Sequence, residues 1–160
     1  MDSFNDTSTT RSEEKHLFST FRVADRLYGI DVIRVQEVTK VMPCTRVPLA
    51  PKHMRGLINL RGQIATAIEL RDLFDIKKND DVEFGSMNVF CEMKGSLVAL
   101  IVDEIGDVIE VEASSFEETP DTVPRKIQAL MSGVYKIPNE LLSVLDIDKI
   151  STIITSANKE

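Results

Sequence analysis

Two histidines, two cysteines and two spaced pairs of aspartates are the residues of this chain suited to chemistry, and none falls into a working pattern. A metal centre or an acid–base site needs several such groups converging in space. His16 lies in a polar lead-in, and His53 sits in the stretch Pro51-Lys52-His53-Met54-Arg55, where it reads as solvent-facing. Cys44 and Cys91 carry no pairing motif and read as free thiols of a reducing compartment. Asp146 and Asp148, or Asp103 and Asp107, would be a carboxylate pair or a hard-cation site, but the calcium-loop spacing is absent. They read as solvated strand ends or as a cap on a turn near Asp148. No phosphate-cradling loop, dinucleotide fingerprint or nucleophile elbow occurs. The expectation is no catalytic residue, no metal and no cofactor.

The most informative segment is Gly56-Leu57-Ile58-Asn59-Leu60-Arg61-Gly62. It reads as a tight turn feeding a buried strand, with one long cation aimed out of a sheet edge. That suits a body that binds other proteins.

The elements that must position it are short. Residues 1–16 are polar and read as a flexible tail, since they bury too little to offset ordering. Strand-like alternation begins at Leu17 and turns back at Ala24-Asp25-Arg26 into Leu27-Tyr28-Gly29-Ile30. Val32, Val35, Val38 and Val41 fall three apart, but their β-branching favours a turn of helix followed by strand. Pro43, Pro48 and Pro51 make residues 42–52 a crossing loop that cannot be a central strand. Residues 63–70 alternate, with small Ala65 and Ala67 implying close approach by another layer. Lys77 to Gly85 reads as a charged loop.

Met87–Met93 and Leu97–Val102 form a hairpin about Lys94-Gly95, the second arm apolar enough to be covered on both faces. Residues 103–107 read as an acidic bend and 108–111 as a strand. Residues 127–135 and 141–147 are two further strand candidates, and 155–160 read as a polar tail. With hardly a helix, the pattern predicts a mostly β, barrel-like fold over residues 17–154.

The net charge of −7 repels phosphate backbones, and no basic cluster offsets it, so nucleic acid is not expected as a partner. The longest apolar run, Gly95 to Val102, is eight residues, too short for direct membrane insertion as a helix. A cytoplasmic, soluble protein is expected.

Tyr28-Gly29-Ile30-Asp31-Val32, Val35-Gln36-Glu37-Val38, Val47-Pro48, the Gly56–Gly62 segment and Leu70-Arg71 occur in order. Leu100-Ile101-Val102-Asp103, Gly106-Asp107-Val108 and Leu145-Asp146-Ile147-Asp148-Lys149 continue the series. This set closely resembles the CheW-like family of chemotaxis coupling domains, from about Leu17 to Ile150. The resemblance implies two intertwined five-stranded SH3-like barrels sharing a hydrophobic core, and an adaptor that catalyses nothing. It implies two partners: the cytoplasmic signalling tip of a methyl-accepting chemoreceptor and the regulatory domain of the histidine kinase CheA. They would be joined in membrane-attached arrays to which the chain is recruited.

By the same resemblance a receptor-binding groove lies between the barrels, with Val35, Glu37, Gly56 and Arg61 from one half and Val102, Ile105 and Val108 from the other. Val35 and Val108 serve equally well in the chain's own core, Gly56 either touches a partner or only permits a close backbone approach, and Arg61 either meets a partner or pins Glu37. Leu49, Ile76, Met87 and Phe116 are the kinase-facing candidates. Thr66 and Glu69 stand where the family often has proline and aspartate, and the family's terminal helix is expected to be short or missing. The alternative is a CheW-like scaffold in a chemosensory kinase pathway controlling surface motility or pili.

Overall fold

The computed structural model describes residues 14–76 and 86–157. The first strands are β1 (Lys15–Val23), β2 (Arg26–Asp31) and β3 (Val35–Lys40). A second group comprises β4 (Met54–Leu60), β5 (Gln63–Glu69) and the short helix α1 (Leu70–Leu73), then β6 (Met87–Met93) and β7 (Ser96–Val102). The chain continues through β8 (Glu104–Glu112), the two-residue β9 (Phe116–Glu117) and α2 (Arg125–Gln128). It closes with β10 (Met131–Ile137), β11 (Glu140–Leu145) and α3 (Ile147–Ala157). The charged loop expected at 77–85 and most of the expected N-terminal tail lie outside the described residues, while Lys15 and His16 already belong to β1.

Local chemistry explains the hairpins. Ala24-Asp25, Arg61-Gly62 and Lys94-Gly95 are two-residue turns with positive φ at both positions, 49° and 68°, 51° and 88°, and 50° and 80°. That backbone twist matches the twist of paired strands. The Gly56–Gly62 segment is therefore strand first and turn last, the reverse of the sequence expectation. Helix and strand bounds shift elsewhere too. Asp31 caps a single 3-10 turn over Val32–Arg34 by accepting from the Ile33 N–H at 3.2 Å, and β3 follows, as β-branching predicts.

The bend expected over 103–107 shrinks to Asp103, because β8 starts at Glu104 and pairs with β1. Ile127 falls in α2 and Ile147 in α3 rather than in strands. The terminal helix expected to be short or missing is eleven residues long: Ile147, Ile150 and Ile154 lie one turn apart and are all buried, an apolar stripe hidden among polar neighbours. The crossing loop also pairs once, through the mutual Thr45–Leu57 backbone bonds at 2.8 Å.

The strands form two sheets, mostly antiparallel. One has the order β8-β1-β2-β11-β10-β9 and the other β3-β6-β7-β5-β4. Each contains one parallel step, β2 to β11 and β7 to β5, at the corresponding place. The first sheet thus carries six strands where five were expected, the extra one being the two-residue β9.

Each sheet packs an interior of its own. Phe18, Leu27, Val111, Tyr135, Leu142 and Val144 fill the six-stranded one, and Ile58, Leu60, Phe90, Leu97 and Ile101 close over Ala65 and Ala67 in the other. A third and larger cluster joins them, with Phe21, Tyr28 and Ile30 meeting Ile68, Val89, Leu100 and Val102, and α3 sealing it with Ile147 and Ile150. β7 is apolar at consecutive positions because its two faces serve two of these clusters: Leu97, Ala99 and Ile101 one, Val98, Leu100 and Val102 the other.

Candidate interaction site

β3 and β4 are the two ends of the five-stranded sheet, and side chains tie them together near the β4–β5 turn. A bulge between Val35 and Glu37 puts one extra residue, Gln36, opposite β6 and re-aims Glu37. Arg61, held in the left-handed region by the turn, sends its guanidinium to that carboxylate. Nη1 donates to Glu37 Oε2 at 2.8 Å and Nη2 donates to Oε1. Beside them Gln36 Nε2 donates to Gln63 Oε1 at 3.4 Å. The hydrogen bonds from Arg61 hold the Glu37 carboxyl below the usual carboxylate range and raise the guanidinium in turn. Arg61 keeps 73% of its side chain exposed against 23% for Glu37, so the pair is a fixed anchor with an accessible head. Of the two readings of Arg61, pinning Glu37 is observed, and it leaves the outer N–H groups for another acceptor.

Gly56 answers to the backbone. It is buried at φ 147°, and a Cβ there would stand 2.9 Å from the Thr45 carbonyl carbon and 3.2 Å from Cys44 Cβ. Any side chain would push the crossing loop off β4.

The apolar candidates divide by depth. Val35 and Ile105 are half-buried against the large central cluster, Val102 is wholly inside it, and Val108 is 56% exposed on β8. Val35 and Ile105 occupy matching places, each opposite the strand that pairs with the parallel step, as partners of Cys91 and Phe21. Of the kinase-facing candidates, Ile76 and Met87 also pack at the margin of the central cluster. Leu49 is fully exposed with φ 63° on the proline-rich crossing loop. Phe116 is half-exposed and sets its edge against Tyr135 at 5.3 Å. Glu37 and Arg61 are thus in direct contact, five other candidates (Val35, Val102, Ile105, Ile76 and Met87) share one core, and Leu49, Val108 and Phe116 stand out on separate surfaces.

Sequence reasoning missed the ion pair that ties the two sheets. Arg71 in α1 donates from Nε to Asp103 Oδ1 at 2.9 Å and from Nη2 to Oδ2 at 2.6 Å. Asp103 Oδ2 also accepts from the Ala24 N–H at 2.7 Å, and its own N–H donates to the Arg22 carbonyl at 2.9 Å. The carboxylate so links the β1–β2 turn of one sheet to the helix of the other. Both residues stood in the quoted motifs, but 32 positions apart no periodicity relates them. His53 differs from expectation as well: it is half-buried, its Nε2 is enclosed, and burial lowers its pKa while Asp72 opposes that shift.

Among the described residues no three His, Cys, Asp or Glu side chains gather closely enough to hold a metal, and no helix is long and apolar enough to cross a membrane. Cys44 and Cys91 are free.

Comparison with known proteins agrees with this architecture. The CheW-like domain model matches residues 18–154. A chemotaxis protein CheW of Treponema pallidum is 29% identical over 143 residues, covering 87% of this chain and 84% of that protein. A chemotaxis protein CheW of Bacillus subtilis is 29% identical over 140 residues, covering 88% of each. The crystal structure of scaffolding protein TtCheW from Thermoanaerobacter tengcongensis superposes with a TM-score of 0.75 at 30% identity, over 84% of this chain and 91% of that one. With the family pattern spanning both sheets and the fold shared, the chain belongs to the CheW-like domain family, the adaptor scaffolds of chemosensory signalling.

Proposed function

We propose that this chain couples the cytoplasmic tips of chemoreceptors to the histidine kinase CheA in the cytoplasm, within membrane-attached arrays. The observation that carries the reading is the exposed Arg61 guanidinium fixed by Glu37 across the ends of the five-stranded sheet. A receptor tip is a helical hairpin, and a helix docks by apolar area plus a few charged anchors that set its register. Val35 and Ile105 offer half-buried apolar area, Val108 adds exposed surface, and Val102 supports them from beneath. Arg61 arrives with its rotamers already restricted, so less freedom is lost on binding.

The kinase's regulatory domain is assigned to surfaces away from this anchor, with Leu49 and Phe116 as the exposed candidates and Ile76 and Met87 as partly buried support. Such contacts are small singly and gain from repetition in an array.

The test is a pull-down of wild type and of Glu37→Lys, Arg61→Ala and Gly56→Asp with a receptor-tip fragment and with a CheA regulatory domain. Circular dichroism monitors folding. Glu37→Lys and Arg61→Ala are expected to lose the receptor fragment and keep the kinase domain, while Gly56→Asp disturbs β4 itself. Undiminished receptor capture by both charge variants would overturn the assignment of the groove. Failure of folded wild type to bind either partner would overturn the coupling reading and leave a scaffold of another chemosensory kinase pathway.

A further inference from the structure

The two sheets contain an internal repeat that the chain order conceals. β3-β4-β5-α1-β6-β7 runs through one sheet, and β8-β10-β11-α3, completed by β1 and β2, runs through the other with the same neighbours. Residues correspond one to one where the register is clearest. Met54-Arg55-Gly56 opens β4 and Met131-Ser132-Gly133 opens β10, each with a bulge and a glycine at positive φ, 147° and 157°. The Glu69 N–H donates to the His53 carbonyl at 2.8 Å, and the Asp146 N–H donates to the Leu130 carbonyl at 2.8 Å. Glu69 and Asp146 therefore hold equivalent places, and so do Arg55 and Ser132.

The equivalence breaks at the side chains. In the five-stranded sheet Arg55 Nη1 lies 3.7 Å from Oε1 of Glu69, whose side chain is 1% exposed. In the six-stranded sheet a serine replaces the arginine, and a cavity of about 300 Å³ opens, lined in part by Ser132, Asp146, Asp31, Phe18 and Tyr135. Asp146 Oδ1 is committed to the N-terminus of α3, accepting from Asp148 N–H at 2.9 Å and Lys149 N–H at 3.2 Å. Asp31 Oδ1 accepts from Ile33 N–H. Arg34 also lines the cavity, but its Nη2 is held by Asp148 Oδ1 at 3.2 Å and the Glu92 carbonyl at 3.4 Å.

We propose that this cavity receives a guanidinium, an arginine side chain of a protein partner that takes the place in trans that Arg55 takes within the chain. Two carboxylates face the space against one cation already engaged by a third, so the site favours positive charge. Phe18 and Tyr135, 5.4 Å apart and largely buried in the sheet's own interior, form an apolar inner wall, which suits a planar, weakly hydrated guanidinium better than a strongly hydrated ammonium. Ile33, 82% exposed on the same cavity wall, supplies apolar surface for the residues flanking that arginine, which is why a protein is assigned as its source. The inference is independent of the Arg61–Glu37 reading, because it concerns the other sheet.

The test is an amide-resolved NMR titration of the full chain with N-acetyl-arginine-N-methylamide, its uncharged citrulline isostere, and a short peptide with a central arginine between apolar residues. The arginine derivative is expected to shift Ser132, Tyr135 and Asp146, with citrulline at least about tenfold weaker, the scale of one charge-assisted hydrogen bond. The peptide is expected to bind more tightly than the derivative. Ser132→Arg should fill the cavity from within, abolish the shifts and raise the thermal midpoint. Should that variant misfold, Asp146→Asn decides: asparagine keeps the helix cap but removes the charge, and affinity should fall about tenfold. Equal shifts from arginine and citrulline, shifts elsewhere or none, or an Asp146→Asn variant binding as wild type would overturn the site. A peptide no tighter than the free derivative would overturn the protein source.

Discussion

Replacing Asp103 by alanine tests whether the two sheets are held in register by one buried ion pair. The Arg71 side chain is 6% exposed and that of Asp103 17%, and three hydrogen bonds converge on the carboxylate, two from Arg71 and one from the Ala24 N–H. Removing one partner of a buried pair leaves the other charge without compensation, at a cost of about 3–5 kcal/mol. Partial access of water to Asp103 places the expected loss at the lower end, about 3 kcal/mol. For a chain of this length that is a fall in thermal midpoint of about 6–12 °C.

Urea denaturation and differential scanning calorimetry read this directly, and a double-mutant cycle isolates the pair. Asp103→Leu with Arg71→Met should lose less than the two single variants summed, because no charge is stranded. The backbone bond from Ala24 is lost in every Asp103 variant and so cancels from the coupling. Single variants that each lose under about 1 kcal/mol, the scale of an exposed pair, would refute the reasoning. Additive losses in the cycle would do the same.

Other perturbations check the remaining pieces. The Glu37 carboxyl should titrate below the usual carboxylate range by NMR, and Arg61→Ala should return it there; since its folded pKa is depressed, the pair's contribution is present above the unfolded value and fades as pH falls through the folded one. His53 is lowered too, but by burial: the folded state favours the neutral ring, the unfolded chain binds more protons between the two pKa values, and stability should likewise rise with pH across that window. His53→Gln should flatten that part of the urea-midpoint profile. The Cys91 thiol, buried and pushed up to about 12, should resist alkylation in the native protein while half-buried Cys44 reacts first, as mass spectrometry after timed labelling would show. Ile150→Ala, at a wholly buried position of α3, should cost about 3 kcal/mol in urea.

Much of the scaffold was legible in local chemistry. Lys94-Gly95 and Ala24-Asp25 announced hairpins because each sets a residue that accepts positive φ, Gly95 or Asp25, between two strand-like runs, and the run from Leu97 to Val102 announced a strand covered on both faces. The motif order from Tyr28 to Lys149 pointed to the family on its own. The terminal helix was hidden by its exposed side, since polar residues between Ile147, Ile150 and Ile154 look like a tail until a core exists for the isoleucines to meet.

What the sequence by itself determined, then, was whatever depends on neighbours along the chain: turns, strand periodicity, the absence of a catalytic spacing, and the family pattern. Tertiary structure decided which distant charges meet. Arg71 reaches Asp103, 32 positions away, because β5 pairs with β7, and Glu37 reaches Arg61, 24 positions away, because the two end strands of the sheet come together in space. It also decided that Ser132 lines a cavity at the place where, in the other sheet, Arg55 approaches Glu69. The physical reason is that electrostatic and packing energies depend on separation in space, and pairing across a sheet sets that separation without leaving a local trace in residue order.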